Sequence, residues 1–368
     1  MKKLRVVVVE DSLTIRRRFC EILGADREFE VVGEAEDGKR AIELCEALRP
    51  DVITMDMVMP VMSGVAATEY IMAYMPTPIL IVSASTNRGE LFKTYDALAA
   101  GAVDVLEKPP ADDVDGAWER RFVAAIKLIA RIKVITHVRA RLTGAERGVM
   151  PTSDTATTST QLKRLGDPCR YSVVVFGAST GGPAAIVKVL QSLPRGLKVT
   201  VLFVLHIDEP FGLAFAEWLG QQTSHRVVYA RESDAIDSLR GQVVMAPPGR
   251  HLVVQAGRLH LSNDPPRHSC RPSVDVLFES VAADRGPATL ACLLTGMGRD
   301  GAAGLLAIRR AGGFTIAQDE STSIVYGMPR EAVILGAARK VLPLDHIGPE
   351  IVQRLATSGN RTPAETRP

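Results

Sequence analysis

Uninterrupted apolar runs alternate with helically spaced apolar positions along most of this 368-residue chain. Leu4–Val9 is apolar but for one arginine and ends in Glu10-Asp11-Ser12. Continuous apolarity of that length fits a central parallel strand covered on both faces. Ile15, Phe19, Ile22 and Leu23 then recur at helical spacing. Phe29–Ala35 predicts a second strand and Lys39–Leu48 a helix. Asp51–Met55, Pro78–Ser83 and Ala102–Leu106 predict strands three to five. This strand–helix repeat predicts a doubly wound α/β domain with a five-stranded parallel sheet.

Trp118, Phe122, Ala125, Ile126, Ile129, Ile132 and Ile135 share one helical face, which predicts a long helix from about Val114 towards Leu142, with Gly144 as its stop. Residues 145–168 are rich in Thr, Ser, Pro and Gly and read as a flexible tether. A second α/β pattern follows. Ser172–Phe176 and Val199–Leu205 predict parallel strands, with a helix beginning near Pro183 between them. Arg226–Ala230 and Val243–Ala246 are short strands. His251–Gln255 and Arg258–Ser262, split by Ala256-Gly257, predict a hairpin at the edge of a mostly parallel sheet. Ala288–Leu294, a helix over Gly301–Arg310, the strand Phe314–Gln318 and a helix from Pro329 to Gly336 complete the pattern. The expected division is 1–125, a helix and linker over 126–169, a second domain over 170–352, and a disordered tail over 353–368.

Composition narrows the function. With 44 Lys and Arg against 42 Asp and Glu, no charge excess points to nucleic acid or a membrane surface. The basic residues of the long helix lead into no recognition-helix module. Five scattered cysteines, none in a CxxC pair, read as reduced cytosolic thiols that mostly fill cores. The amino terminus is too short in apolar residues for a signal peptide, and no run approaches a membrane span. The histidines lack metal-ligand spacing, so a metal hydrolase is not expected. These readings place the chain in the cytoplasm.

Polar groups stand at the carboxyl ends of the predicted strands, where open α/β sheets bind ligands. In the first domain they are Glu10, Asp11, Asp56, Ser83 and Lys108. Clustered acids repel one another, and a hard divalent cation relieves that repulsion. Acids, metal, hydroxyl and lysine together make a phosphoryl-transfer site in which one carboxylate attacks. On these residues, with Pro109 after Lys108 and Met57, Pro60 and Gly64 after Asp56, the first domain resembles a response-regulator receiver. The resemblance implies Asp56 as phospho-acceptor, magnesium held by Glu10, Asp11 and Asp56, Ser83 and Lys108 as switch residues, and a histidine kinase as phosphodonor. Val105 stands where many receivers carry an aromatic.

In the second domain Ser179, His206 and Asp300 stand at three strand ends. Serine needs a histidine to take its proton and an acid to hold that imidazole. Gly177-Ala178-Ser179-Thr180-Gly181-Gly182 allows a tight turn with exposed backbone donors, and the following helix aims its positive end at an anion near Ser179. Thr180 and Met297 are the candidate oxyanion donors. The glycine-rich turn could equally be a phosphate loop or a plain structural turn, and Asp300 could cap the helix after it.

Gly177–Gly182, His206, Thr295–Ala302, Ala246–His251, Arg271–Phe278 and Tyr326–Pro329 resemble the signatures of the chemotaxis protein-glutamate methylesterase family. The resemblance implies a phosphorylation-regulated hydrolase without a cofactor for its ester chemistry. It demethylates glutamate γ-methyl esters on chemoreceptor helices, releases methanol, and in some members deamidates glutamine. It also implies a monomer recruited to receptor arrays, with Arg271, Pro272 and Ser273 at the substrate rim. The family usually has Met-Pro after the histidine, whereas this chain reads Leu205-His206-Ile207-Asp208-Glu209-Pro210, a more acidic rim. That departure leaves open a non-chemotaxis chemosensory pathway, or a scaffold with degenerate catalysis.

Overall fold

The computed structural model describes residues 2–84, 87–109, 116–132, 134 and 170–357. The chain divides into two compact units. One comprises residues 1–146 with 179–185 and 207–218, and the other comprises 147–178, 186–206 and 219–368. Among the described residues no helix is long and apolar enough to cross a membrane.

The first unit contains β1 (Leu4–Val9), α1 (Leu13–Ala25), β2 (Phe29–Ala35), α2 (Gly38–Leu48) and β3 (Val52–Met55). It continues with α3 (Gly64–Tyr74), β4 (Ile79–Ser83), α4 (Arg88–Ala99), β5 (Asp104–Glu107) and α5 (Ala117–Ile129). The strands form a parallel sheet in the order β2-β1-β3-β4-β5. Val6, Val7 and Val8 are wholly buried, which accounts for the apolar run on both faces of β1. Asp37, Ser63 and Asn87 start α2, α3 and α4 by accepting a backbone N–H three residues on. Gly64 has no room for a side chain, because a Cβ there would lie 1.9 Å from the Asp56 carbonyl oxygen.

The long helix expected towards Leu142 is corrected. α5 ends at Ile129 and passes into turns in which Arg131 and Ile132 donate three residues back. Its buried stripe is Trp118, Phe122, Ile126 and Ile129, with Phe19 against the first two rings. Ile132 is only partly buried, so the packing that sustains the helix fades there. Ile135 and the predicted tether lie outside the described residues.

The first unit also gathers residues 207–218 against α4. The Tyr95 ring stands edge-on to Phe215 with centroids 5.3 Å apart, and its hydroxyl donates to the Phe211 carbonyl. Trp218 Nε1–H donates to Asp96 Oδ1 at 2.8 Å, and Arg121 pairs with Asp208 at 2.6 Å. The acidity expected of the 205–210 segment is therefore partly neutralised at Asp208.

The rest of the chain contributes β6 (Val173–Ala178), α6 (Gly182–Ser192), β7 (Thr200–Leu205), α7 (Glu209–Gly212), α8 (Phe215–Gln222), β8 (Arg226–Tyr229) and β9 (Gln242–Met245). Next come β10 (His251–Gln255), β11 (Arg258–Ser262), α9 (Val274–Arg285), β12 (Thr289–Leu293) and α10 (Ala302–Arg310). β13 (Phe314–Gln318), α11 (Met328–Ile334), β14 (Lys340–Leu342) and α12 (Leu344–Thr357) complete it. Seven strands form a parallel sheet in the order β14-β13-β12-β6-β7-β9-β8. The predicted hairpin forms as β10 and β11, turning through Ala256 and Gly257, both at positive φ. It is a two-stranded sheet of its own, and both edges of the large sheet are parallel strands. α12 carries residues 353–357, which corrects the expected start of the disordered tail; residues 358–368 lie outside the described residues.

Candidate active site

β6 lies between β7 and β12, and this order brings three strand ends together. In register, Ala178 faces Leu205 and Gly177 faces Leu293. The His206 N–H donates to the Ala178 carbonyl at 3.0 Å, and the Leu294 N–H to the Gly177 carbonyl at 2.8 Å. Ser179 is the next residue after Ala178, so Ser179 and His206 leave adjacent parallel strands at the same end. Ser179 is half-buried and opens a turn that Gly182 closes by donating to its carbonyl at 2.6 Å. Gly181 stands at φ 75° in that turn, a conformation that favours glycine.

His206 Nε2 lies 2.9 Å from Asp300 Oδ2. Asp300 is 2 % exposed, and its carboxylate is held by several donors. Oδ2 also accepts the Val274 N–H at 2.7 Å, while Oδ1 accepts the Ser273 hydroxyl at 2.8 Å and the Asp275 N–H at 2.9 Å. These donors form the amino-terminal turn of α9, whose positive end stabilises a carboxylate. The expected cap on the helix following Asp300 is thus corrected. Gly301 occupies the N-cap of α10, and Asp300 reaches back to α9. The close approach requires glycine on both sides of Val274. A Cβ at Gly177 would lie 2.2 Å from Val274 Cγ1, and one at Gly301 2.6 Å from it.

Burial alone would raise the Asp300 pKa, but His206 and the α9 donors outweigh it and hold the carboxyl below its usual range. Burial would likewise lower the His206 pKa. The hydrogen bond to Asp300 and the Cys270 contact outweigh it and push the imidazole up to about 9. Cys270 Sγ lies 3.6 Å from His206 Nδ1, so both ring nitrogens have neighbours.

Three expectations about residues 270–273 change. Ser273 is wholly buried, caps α9 and supports Asp300, so it is no rim residue. Pro272 is buried too. Arg271 alone is exposed, its guanidinium donating to the Asn263 and Asp264 carbonyls. Cys270, read from sequence as filler, instead faces the histidine. Cys45 and Cys292 do fill the core, and Cys169 lies outside the described residues. Ser273 had a legible signal, a serine directly before the apolar stripe Val274, Leu277, Phe278 and Val281. Met297 is half-exposed in the loop between β12 and α10, and Thr180 is half-buried in the turn after Ser179.

In the first unit, Glu10, Asp11 and Asp56 each offer a carboxylate oxygen within 4.8 Å of the others. Lys108 Nζ lies 2.8 Å from Glu10 Oε2 and 3.0 Å from Asp56 Oδ2. Burial, with Asp56 as like-charged neighbour, pushes Glu10 up to about 7, and burial also raises Asp56. Hard oxygen donors whose ionised forms burial disfavours suit a divalent cation, which would hold them charged. Ser83 is buried at the end of β4, and its carbonyl accepts the Lys108 N–H at 3.0 Å. Its hydroxyl lies 3.4 Å from the Ala84 carbonyl.

Two parallel α/β sheets, one with an acidic phospho-acceptor-like rim and one with a histidine–aspartate pair beside a glycine-framed serine, define a receiver joined to a hydrolase-like domain. Family models agree on both parts. The response regulator receiver domain matches residues 6–114, and the CheB methylesterase matches residues 174–351. A "protein-glutamate methylesterase/protein-glutamine glutaminase 2" of Anaeromyxobacter dehalogenans is 42% identical over 94% of this chain and 95% of its own length. A protein of the same type from Nitrosospira multiformis is 40% identical over 97% of this chain and 98% of its own. The crystal structure of the Thermotoga maritima CheB methylesterase catalytic domain is 30% identical, covering 50% of this chain and 98% of that one, with a TM-score of 0.47. The chain belongs to the CheB methylesterase family.

Proposed function

We propose that this chain is a phosphorylation-regulated serine hydrolase. Its substrates are glutamate γ-methyl esters on the cytoplasmic helices of chemoreceptors, and receptor glutamines as a second substrate. The observation that carries the reading is the His206–Asp300 pair, with His206 directly after β7, the strand paired with the one that leads into Ser179. Asp300 fixes Nε2, so Nδ1 is the nitrogen that takes the Ser179 proton. Ser179 Oγ attacks the ester carbonyl, and the backbone N–H groups of Thr180 and Met297 stabilise the oxyanion. The carbonyl–methoxy bond breaks and methanol leaves with the proton from His206. Water, deprotonated by His206, then cleaves the acyl-enzyme. Arg271, exposed beside this site, places the acidic substrate surface.

Regulation rests on the receiver. Magnesium would be held by Glu10, Asp11 and Asp56, where it neutralises the incoming phosphoryl group. Asp56 attacks a kinase phosphohistidine: the P–N bond breaks and an aspartyl P–O bond forms. Lys108 then turns from the Asp56 carboxylate to the phosphoryl group and Ser83 follows, which loosens the hold of Tyr95 and Asp96 on residues 207–218. That segment starts directly after His206. The enzyme acts in the cytoplasm, at receptor arrays, as a monomer.

An ester-mimicking fluorophosphonate tests the serine assignment. The account expects one equivalent of adduct on Ser179 and none on a Ser179→Ala variant of native circular dichroism. Adduct formation undiminished in that variant contradicts it.

A further inference from the structure

We propose that Cys270 and His206 form a binding site for a thiophilic divalent cation, zinc being the ion, and that its binding switches hydrolysis off. Zinc binds sulfur at about 2.3 Å and imidazole nitrogen at about 2.0–2.1 Å, so a tetrahedral ion separates the two by about 3.5 Å. Cys270 Sγ and His206 Nδ1 already stand 3.6 Å apart. The other ring nitrogen supplies a second, independent match. Metal-bound histidines commonly give their remaining N–H to a carboxylate, which aims the lone pair at the metal. Here Nε2–H donates to Asp300 Oδ2, so that Nδ1, once deprotonated, directs its lone pair at the sulfur.

Asp300 is the orienting carboxylate and not a ligand, because Ser273 and the α9 backbone occupy it. Cys270 is held in place by a tight turn. Arg267 and Cys270 exchange backbone hydrogen bonds of 3.1 and 2.9 Å, with His268 and Ser269 both at positive φ between them. The pair is reachable, since Cys270 is half-buried and the His206 side chain is 13% exposed. On binding, the thiol and the protonated Nδ1 each release a proton to solvent, and the thiolate and the freed Nδ1 lone pair coordinate the ion, with water completing the shell. Blocked hydrolysis rests on the proposed catalytic reading, in which Nδ1 is the base; zinc binding does not.

The test titrates zinc into the full-length chain with magnesium saturating the receiver acids, using a chromophoric chelator as competitor. Wild type is expected to take up one zinc more than Cys270→Ala or Cys270→Ser. Cadmium added to wild type is expected to produce thiolate–metal charge-transfer absorption that both variants lack. This cadmium readout compares folded chains directly and separates Cys270 from the other thiols. In an ester-hydrolysis assay, a zinc concentration that lowers wild-type turnover at least tenfold should inhibit the variants far less, with chelator restoring the wild type. Equal zinc uptake and equal cadmium absorption in wild type and variants overturn the site. Zinc uptake that needs Cys270 but leaves ester turnover unchanged overturns the switch. A chain that binds zinc through Cys270 yet hydrolyses no ester would refute the catalytic reading while leaving the metal site standing.

Discussion

His206 and Asp300, 94 positions apart in sequence, meet at 2.9 Å because β7 and β12 flank β6. The buried carboxylate holds a charge on the imidazole, which pushes its pKa up to about 9. At neutral pH the ring is therefore mainly protonated, whereas a general base must be neutral.

The rate of ester hydrolysis should accordingly rise with pH between about 7 and 9 and level off above the histidine pKa. Stability moves the other way. The folded pKa lies above the unfolded value of about 6.5, so the stabilisation is full below that value and is lost as pH rises through about 9. Asp300, depressed in the fold, contributes stability above its unfolded pKa that is lost as pH falls. A pH–rate profile of kcat/KM, with urea melts across the same range, checks both signs. A rate that falls from pH 7 to 9 contradicts the assignment of His206 as base.

Asp300→Asn keeps the shape and removes the charge. In Ser-His-Asp hydrolases such a change lowers kcat on the order of 10⁴-fold, and a loss of that order is expected here, measured as methanol release.

Ser273→Ala removes a donor from Asp300 and the cap of α9. Stability should fall by about 1 kcal/mol. With one hydrogen bond fewer, Asp300 becomes a stronger partner for His206, so the inflection of the pH–rate profile should move to higher pH. Ser273→Thr should restore both. A stability loss with an unmoved inflection would leave Ser273 a purely structural residue.

Much of this was legible in advance, and the omissions share a cause. β1, β2, β10, β11 and β13 end where the apolar runs end, because each run is bounded by polar or glycine-bearing turns. The positions of Ser179 and His206 directly after β6 and β7 follow from the same pattern, whereas Asp300 lies beyond the end of β12, in the loop that leads into α10. α9 has no counterpart among the expected helices, although Ser273 and the stripe from Val274 to Val281 mark one. β14 has three residues, none buried, so it shows no period; α12 buries Ile347, Ile351 and Leu355 at helical spacing, but Pro349 inside it reads as a helix breaker. The partnership of Cys270 with His206 joins residues 64 positions apart through a turn with two non-glycine residues at positive φ, for which sequence spacing carries no signal.

The receiver makes its own prediction. With magnesium and a small-molecule phosphodonor, wild type should take up one phosphoryl group and accelerate methanol release, while Asp56→Ala should do neither. Equal rates for the two proteins under donor would contradict gating through Asp56.

The most direct measurement is methanol release from a methylated chemoreceptor by wild type and by Ser179→Ala, each shown to be folded by its urea melt. The account predicts release by wild type and none above background from the variant. Release at the wild-type rate by Ser179→Ala would contradict it.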